Sequence, residues 1–380
     1  MRRLALSSLL PAVLAFPLGC FAQQIVREGG RWVQVIAGSA PAASQLRIQA
    51  EGPVTLEGGV SKAIEYSARL SVRASSEAEA RRAFEGYAVV VARQGSWTQL
   101  TSPGGDFSVS LHVRAPRVTA VSISTMEGNV DVTGVSGSLD VESGAGRLTA
   151  DRIAGNARLS TQGGAIDAGE IQGALEASTW VGNIKVRRVG GRAVLRSMGG
   201  VIDVLETGGA VRAETGGGSV LIAKAGGTVD ALTAGGRIWI GAADGLVTAR
   251  NGAGVIQVGS APAARCESGA GRILLSNIAG SMQASTGFGS IEAVLPSRRT
   301  GDSYLATGNG DITLTIPSNV GVTIQAENDL ADSPRRIVSE FPQVPVRVQG
   351  LRLVAGGAVN GGGPLMRISA KAGTITIKRQ

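Results

Sequence analysis

The sequence predicts an all-β fold, a parallel β-solenoid with about 18 residues per coil and a β-rich N-terminal cap that contains one short helix. Three observations predict it: glycines recur at a fixed period, apolar and polar residues alternate after each glycine, and aromatic residues are scarce. Glycine contributes 56 of the 380 residues, whereas aromatic residues make up only 3%. A slim core of aliphatic side chains, repeated along a rod, suits this composition better than a globular core.

The glycines form two ladders along the chain. Because glycine tolerates positive φ and close backbone approach, we expect these residues at sharp turns where stacked coils meet. The structural turn glycines of the first ladder are Gly128, Gly146, Gly164, Gly182, Gly200, Gly218, Gly236, Gly254, Gly271 and Gly289, and the series continues at Gly310. The second ladder runs half a period out of phase, at Gly137, Gly155, Gly173, Gly191, Gly209, Gly227, Gly245 and Gly280.

Apolar residues stand two and four positions after each glycine, as at Ile166 and Ala168. This alternation predicts a short strand with one buried face. A further apolar residue between the half-repeats, such as Ile153 or Ile171, predicts an inward-facing corner. Each coil therefore has two strands, and one coil alone cannot bury enough surface to be stable, so stability depends on stacking.

A hydroxyl column precedes the first ladder of glycines. Hydroxyl groups at such positions bond to backbone groups of the turn, so we interpret this column as turn-stabilising. Its members are Thr125, Ser143, Thr161, Thr179, Ser197, Thr215, Thr233, Ser268 and Thr286, and Asn251 stands between Thr233 and Ser268.

Residues 1–22 read as a signal peptide. Arg2 and Arg3 form a basic start, an apolar stretch runs to residue 19, and Ala22 offers a cleavage site. A lipid anchor at Cys20 is the minor alternative. We therefore expect an exported protein, in the periplasm, the outer envelope or the extracellular space. The net charge of +8 is carried by scattered residues, which argues against nucleic-acid binding.

Four segments follow from these patterns. Residues 1–22 are the signal peptide, 23–124 a β-rich N-terminal cap region, 125–326 the β-solenoid repeats and 327–380 the C-terminal capping strands. Within the cap, Ser76 and Glu79 form a capping box and Gly86 supplies a stop, which predicts the one short helix. No later stretch is apolar enough for a membrane span.

Residues for catalysis or metal binding are not clustered in the sequence. His112 is the one histidine, Cys266 falls in an inward-facing slot, and we assign no catalytic, cofactor-binding or metal-binding residue. Trp239, with Leu221 one coil before it, is a candidate contact patch on an outward-facing column. Packing of Trp239 under a cap or loop is the alternative.

The repeat resembles the bacterial putative-adhesin family, envelope proteins with β-strand repeats. The resemblance is carried by Arg114–Pro116 leading into Val121–Val132, by the successive Ser/Thr-x-x-Gly-x-Val/Ile units, and by the closing segments Gly361–Ser369 and Ala372–Ile377. It covers about residues 107–380. The resemblance implies a right-handed β-solenoid outside the cytoplasm, with no catalytic residues to carry over.

We expect a non-enzymatic envelope or surface protein, an adhesin or structural module that binds a glycan, envelope or protein ligand and needs no cofactor. A carbohydrate-active β-helix enzyme is one alternative, with Asp131, Asp167 and Asp203 as its acidic residues. A polymerising envelope scaffold is the other, and it would require uncapped ends.

Overall fold

A computed structural model describes residues 24–298, 300–329 and 336–380 of the chain. Strands account for 61% of the residues and helix for 3%, and the chain forms a β-solenoid of about 11 turns with about 18 residues per coil. The predicted all-β solenoid and its period are confirmed. The predicted signal peptide, with Cys20, lies outside the described residues.

The N-terminal region contains the single helix that the capping box predicted. Ser76 is its N-cap, and the Ser76 hydroxyl accepts a hydrogen bond from the Glu79 N–H at 3.3 Å. The Glu79 carboxylate turns to the backbone N–H of Ser75, at 2.9 Å, instead of returning to Ser76. The elements here are β1 (Val26–Glu28), β2 (Arg31–Ala40), β3 (Gln45–Ala50), β4 (Val54–Gly58), β5 (Ile64–Val72), α1 (Glu77–Phe84), β6 (Val90–Gln94), β7 (Trp97–Ser102) and β8 (Ser108–Ala115).

The regular coils each contribute one strand to each of two parallel sheets. We call the sheet of the odd-numbered strands β9 to β29 sheet B and that of the even-numbered strands β10 to β30 sheet A. The strands are β9 (Ala120–Glu127), β10 (Val130–Thr133), β11 (Ser138–Ala145), β12 (Leu148–Asp151), β13 (Ala157–Thr161), β14 (Ile166–Ile171), β15 (Leu175–Thr179), β16 (Ile184–Val189), β17 (Ala193–Ser197), β18 (Ile202–Thr207), β19 (Val211–Thr215), β20 (Val220–Ala225), β21 (Val229–Thr233), β22 (Ile238–Ala243), β23 (Val247–Ala253), β24 (Ile256–Ser260), β25 (Ala264–Ala270), β26 (Ile273–Ser276), β27 (Met282–Phe288), β28 (Ile291–Val294), β29 (Ser303–Asn309) and β30 (Ile312–Ile316).

The core lies between the two sheets as a continuous column of aliphatic side chains. In one coil, Ile166, Ala168, Leu175 and Ala177 are all buried, and Ile171 fills the corner between the strands. Parallel pairing keeps the same register from coil to coil, so Ile166 lies opposite Ile184 in the next coil. The predicted alternation and the inward-facing corner are both confirmed.

The C-terminal region adds six strands that do not stack in chain order. They are β31 (Val322–Asn328), β32 (Ile337–Ser339), β33 (Val346–Gln349), β34 (Arg352–Val359), β35 (Leu365–Ala372) and β36 (Ile375–Arg379). β35 pairs in parallel with β29 on one side and β31 on the other. β36 likewise lies between β30 and β32. The last segment of the chain is therefore an inner layer of the stack.

The N-terminal end has the same arrangement. β3 lies between β7 and β9, and β4 lies between β8 and β10, although β3 and β4 come earlier in the chain than all four of these neighbours. Antiparallel strands then cover the outer edges: β5, β2 and β1 in sheet A, and β6 in sheet B. At the other end, β34 and β33 do the same for sheet B. Two further layers thus extend the regular coils at each end.

Candidate binding groove

The structure places the glycines of the first ladder in a column at the corner between sheet B and sheet A. Their backbones approach so closely that a side chain would collide with the coil before. A Cβ added at Gly200 would lie 2.0 Å from the carbonyl oxygen of Gly182, and one at Gly218 would lie 2.0 Å from that of Gly200. Close approach, and not left-handed backbone, accounts for glycine at these two positions, because neither has a φ in the left-handed region.

Two forms of this corner occur in blocks along the rod. In the five coils that contain residues 157–236, the sheet B strand ends at the hydroxyl column and bent residues follow; we call these bent corners. In the two coils before them and the four coils after them, the strand continues two residues further, and we call these extended corners; their strands end at Glu127, Ala145, Ala253, Ala270, Phe288 and Asn309. The ladder glycines of two extended corners, Gly254 and Gly289, have φ values of +110° and +150°.

The hydroxyl column stabilises the bent corners as predicted. The Thr215 hydroxyl donates to the carbonyl oxygen of Gly200 at 2.8 Å and accepts from the N–H of Gly218 at 3.3 Å. The other four bent corners form the same pair of bonds. Each hydroxyl therefore ties its own turn to the turn of the preceding coil.

Asn251 and Ser268, at the first two extended corners after the bent ones, depart from this pattern. Asn251 is only 6% exposed and Ser268 only 8%. Both amide atoms of Asn251 and the hydroxyl of Ser268 lack a hydrogen-bond partner among the described residues. A buried polar group without a partner costs about 1–3 kcal/mol, so these two residues are unfavourable for stability alone.

A groove of about 710 Å³ lies over these two residues, where bent corners give way to extended ones. Small residues that follow the hydroxyl column leave the space open, and larger outward-facing side chains precede the column. The groove spans five coils, or about 19 Å at the usual strand spacing. It is lined by Thr215, Gly216, Leu232, Thr233, Ala234, Arg250, Asn251, Gly252, Glu267, Ser268, Gly269 and Ser285.

The charges of the groove are balanced. Arg250 pairs with Asp230 at 3.4 Å, and Glu267 pairs with Arg265 at 2.9 Å. Its one cation and one anion are thus already partnered by neighbours outside the lining. An uncharged ligand fits this lining better than a charged one.

Exposed apolar side chains continue the line of the groove at one end. Met198 and Trp180 occupy the corner position of Gly216 one and two coils earlier, and they are 69% and 63% exposed. Val181, beside Trp180, is 71% exposed. This cluster was not predicted from the sequence, although Trp180 stands in a turn position that otherwise holds glycine, alanine, glutamine or methionine.

The predicted contact patch of Trp239 and Leu221 lies on sheet A, away from the groove. The two residues are direct register partners on β22 and β20, and both are partly buried. The indole of Trp239 lies over Gly241, where an added Cβ would come within 3.3 Å of it. Trp239 therefore packs along the sheet surface and presents less of its ring than Trp180 does.

The outward-facing acidic residues of sheet A do not converge. Asp131, Asp167 and Asp203 occur on alternate coils, so neighbours in this set are about 10 Å apart along the stack. Arg147 pairs with Asp167 at 3.5 Å, and Lys185 lies between Asp167 and Asp203. This arrangement is that of a solvated surface with interspersed charges.

The remaining residues singled out in the sequence have structural surroundings. His112 lies on β8 beside Thr55 and Ser67. Cys266 is fully buried, and burial raises the pKa of its thiol to about 12. Within the described ranges, no three His, Cys, Asp or Glu residues are grouped so that they could hold a metal ion. Nor does that part of the chain contain a helix long and apolar enough to cross a membrane.

The fold and this surface define a capped, two-sheet parallel β-solenoid with an open corner groove. It is similar to a putative cell adhesion protein from Clostridium sporogenes (9% identity, 92% of this chain and 100% of that chain, TM-score 0.20). It is also similar to putative adhesins from Bacteroides fragilis (10% identity, 92% and 97% of the chains, TM-score 0.27) and Parabacteroides distasonis (11%, 72% and 96%, TM-score 0.27).

The descriptions of these solved structures agree with the family that the repeat resembles. With TM-scores below 0.5, the likenesses say nothing about what this chain binds. No family model matches the chain. No curated protein matches it either.

Proposed function

We propose that this chain is a non-enzymatic, exported binding module of the bacterial envelope or surface, of the adhesin type, and that it binds an uncharged glycan strand along the groove. The single observation that carries the proposal is the groove itself, in which buried Asn251 and Ser268 lack partners and whose line the exposed Met198 and Trp180 continue at one end. The division into an export signal, a cap region, solenoid repeats and capping strands belongs to this proposal.

The chemistry of the groove favours a sugar polymer. An exposed indole offers a flat apolar face for a sugar ring, and its N–H offers a donor. Asparagine can both donate and accept hydrogen bonds, and serine can do the same, which matches ligand hydroxyl groups. Both residues belong to the lining of the groove, so the bound ligand is the partner that we propose for these groups. The balanced charges fit a ligand without charge.

An extended peptide is the competing ligand for such a groove. Peptides bind to sheets mainly by adding a strand to an open edge. Along the groove, however, the backbone groups of each sheet B strand already pair with the coils on either side. Antiparallel strands cover sheet B at both ends and sheet A at the N-terminal end, which argues against the polymerising scaffold.

The test is a glycan and host-matrix binding array with the chain from residue 23 onwards, followed by titration of any hit. We expect an uncharged polysaccharide to bind, and we expect Trp180→Ala and Met198→Ala each to weaken binding about ten-fold or more, because each removes an exposed apolar anchor from the line of the groove. The matched control is Trp239→Ala, which removes the same ring from sheet A. The variant Asn251→Ala tests whether the buried amide of Asn251 contributes to ligand binding.

Each outcome bears on a different part of the proposal. If no glycan binds but a peptide does, the ligand class is wrong. If Trp239→Ala or Leu221→Ala removes binding and Trp180→Ala does not, the site is the contact patch on sheet A. If an acidic polysaccharide is cleaved, and the triple variant of Asp131, Asp167 and Asp203 abolishes cleavage, the chain is an enzyme.

A further inference from the structure

A second depression, of about 510 Å³, lies at the C-terminal end of the rod on the outer face of sheet B. We call it the C-terminal pocket. Its volume lies within the range of roughly 300–1,000 Å³ that small-ligand sites occupy. It shares no residue with the groove. Its lining is Tyr304, Gln325, Ala326, Glu327, Pro345, Arg347, Val354, Ala355, Gly356, Arg367, Ile368 and Ser369.

The out-of-order stacking brings these residues together. Because β35 lies between β29 and β31, Arg367 has Tyr304 on one side and Gln325 on the other. Two positions further along the strands, Ser369 lies beside Glu327. Tyr304 and Arg367 are direct neighbours in space although they are far apart in the chain. The pocket thus exists only because the last strands of the chain return into the stack.

A glycine keeps the pocket open. Gly356 on β34 continues the row of Arg367 and Gln325. An added Cβ there would meet only the carbonyl oxygen of Ile324, at 3.4 Å, and the φ of Gly356 is not left-handed. A larger side chain at this position is therefore compatible with the strand and would occupy the pocket instead of breaking the fold.

The charges of the pocket are not balanced. Arg347 and Arg367 line it and have no ion-pair partner among the described residues. The one carboxylate in the lining, Glu327, is engaged by Arg352 at 3.6 Å and accepts a hydrogen bond from the Ser369 hydroxyl at 3.3 Å. The lining itself carries two guanidinium groups and one carboxylate, and Arg352 outside the lining is shared between Glu327 and Asp329, the latter at 3.1 Å, so the pocket has an excess of one positive charge.

We propose that the C-terminal pocket binds a sugar that carries a carboxylate, a hexuronate, through Arg347 and Arg367. A guanidinium group presents parallel N–H donors that match the two oxygens of a carboxylate. One excess positive charge suits a carboxylate, with a charge of −1, better than a phosphate monoester, with about −1.5 to −2. Tyr304, 46% exposed, provides a ring face for the sugar, and Gln325 provides a donor and an acceptor for its hydroxyl groups.

The experiment titrates the chain from residue 23 onwards with a galacturonate trisaccharide by calorimetry, with the neutral galactose trisaccharide and inorganic phosphate as comparison ligands. We expect the uronate alone to bind, and its affinity to fall as salt is raised. Arg367→Gln and Arg347→Gln should each weaken binding about ten-fold or more, because each removes a charge-assisted contact. Gly356→Leu should abolish binding by filling the pocket.

Two matched variants serve as controls. Arg192→Gln removes an exposed arginine of a central coil that forms no ion pair within the described residues, and Gly163→Leu adds a side chain where nothing lies within 4 Å. Both should leave uronate binding unchanged. Trp180→Ala should leave it unchanged as well, so a failure of the pocket proposal can be distinguished from a failure of the groove proposal. Absence of uronate binding, equal binding of the neutral sugar or of phosphate, or unchanged binding in Gly356→Leu and Arg367→Gln would each overturn the proposal.

Discussion

At the scale of single residues, the glycine column shows that one residue type is required for two reasons. At Gly254 and Gly289 the backbone has a left-handed φ, which favours glycine directly. At Gly200 and Gly218 the backbone is ordinary, and the constraint is the carbonyl group of the coil before. The regular spacing predicted the column, but the spacing hardly differs between the two cases, so the sequence could not separate the two reasons.

Adjacent glycines provide a direct test of close approach. Gly200→Ala should lower the free energy of unfolding by about 1–3 kcal/mol, the usual cost of overpacking, because its Cβ would lie 2.0 Å from a carbonyl oxygen. Gly199→Ala is the control, since nothing lies within 4 Å of its Cβ. Urea titration of the two variants and the parent chain measures the difference. Equal effects would contradict the close-approach explanation.

The buried thiol of Cys266 gives a prediction about pH. Burial raises its pKa from 9.0 to about 12, so the folded chain keeps the thiol proton that the unfolded chain loses first. The free energy of unfolding should therefore fall as the pH rises from about 9 to about 12. The reference variant is Cys266→Ala, which repeats the alanine found at positions 249 and 284 in the same column.

Urea titration measures the free energy of unfolding of the parent chain and of Cys266→Ala across this pH range. The difference between the two values isolates the thiol, because tyrosine titration affects both chains alike. At pH 8, the thiol should also resist alkylation by iodoacetamide until the chain is unfolded. Rapid alkylation of the folded chain would show that Cys266 is accessible.

At the scale of elements, the form of the corner determines whether a coil only stabilises the stack or also contributes to the groove. The bent corners satisfy their hydroxyl groups, whereas the two extended corners that directly follow them leave Asn251 and Ser268 unsatisfied. The sequence does carry a signal for the extended form: a glycine directly after the hydroxyl position and then a residue with a side chain, as at Gly252 and Gly269, each followed by alanine. An added Cβ at Gly252 would lie 2.4 Å from the carbonyl oxygen of Ala234.

The groove could not be predicted from the repeat, because it arises where one corner form meets the other. The period makes all coils equivalent, and the pattern therefore indicated Trp239, the tryptophan on a regular strand. Trp180 lies in a turn, where its exposure depends on how the corner bends. The strands and the core repeat in every coil, and for that reason they were predictable.

A pair of corner variants should move stability in opposite directions. Thr215→Val should lower the free energy of unfolding by about 1–3 kcal/mol, because it leaves the Gly200 carbonyl and the Gly218 N–H without their partner. Asn251→Thr should raise it by about 1 kcal/mol, because the hydroxyl can then bond as that of Thr286 does to Gly271, at 3.0 Å.

Urea titration measures the free energy of unfolding of both corner variants. The second measurement is their affinity for the ligand that the binding array identifies for the groove. Asn251→Thr should bind that ligand more weakly although it is more stable, because residues that serve binding are often unfavourable for stability. If the Asn251→Thr variant is less stable than the parent chain, the side chain of Asn251 has hydrogen-bond partners in solution and the prediction is wrong.

At the scale of the whole molecule, the ends of the rod differ from the middle in the order of their layers. Gly373 continues the glycine column directly from Gly310, with an added Cβ 2.1 Å from its carbonyl oxygen, although the two are far apart in the chain. Gly52 also fits the coil pattern, in which a glycine is followed by buried apolar residues at its second and fourth positions. These two residues are Val54 and Leu56. A strand fits a layer through its side chains, not its place in the chain, so the sequence predicted strands at both ends but not their order.

This order predicts that β35 and β36 are protected from hydrogen exchange. Strands at the outside of a stack open easily, so their amide protons exchange quickly. β36, however, is paired on both sides, with β30 and β32. β35 is held in the same way between β29 and β31. Neither strand can leave the stack unless the outer layer opens first, so both should be protected like strands of the central coils.

Hydrogen exchange followed by mass spectrometry tests the prediction within one sample. Peptides from residues 366–378 should exchange as slowly as peptides from β19 and β20. Peptides from β6 and β33, which pair on one side only, should exchange faster. Fast exchange over 366–378 would mean that the last strands add to the outside of a finished stack. Slow exchange would mean that β35 and β36 are held beneath the outer layer of β31 and β32, the arrangement that also builds the C-terminal pocket.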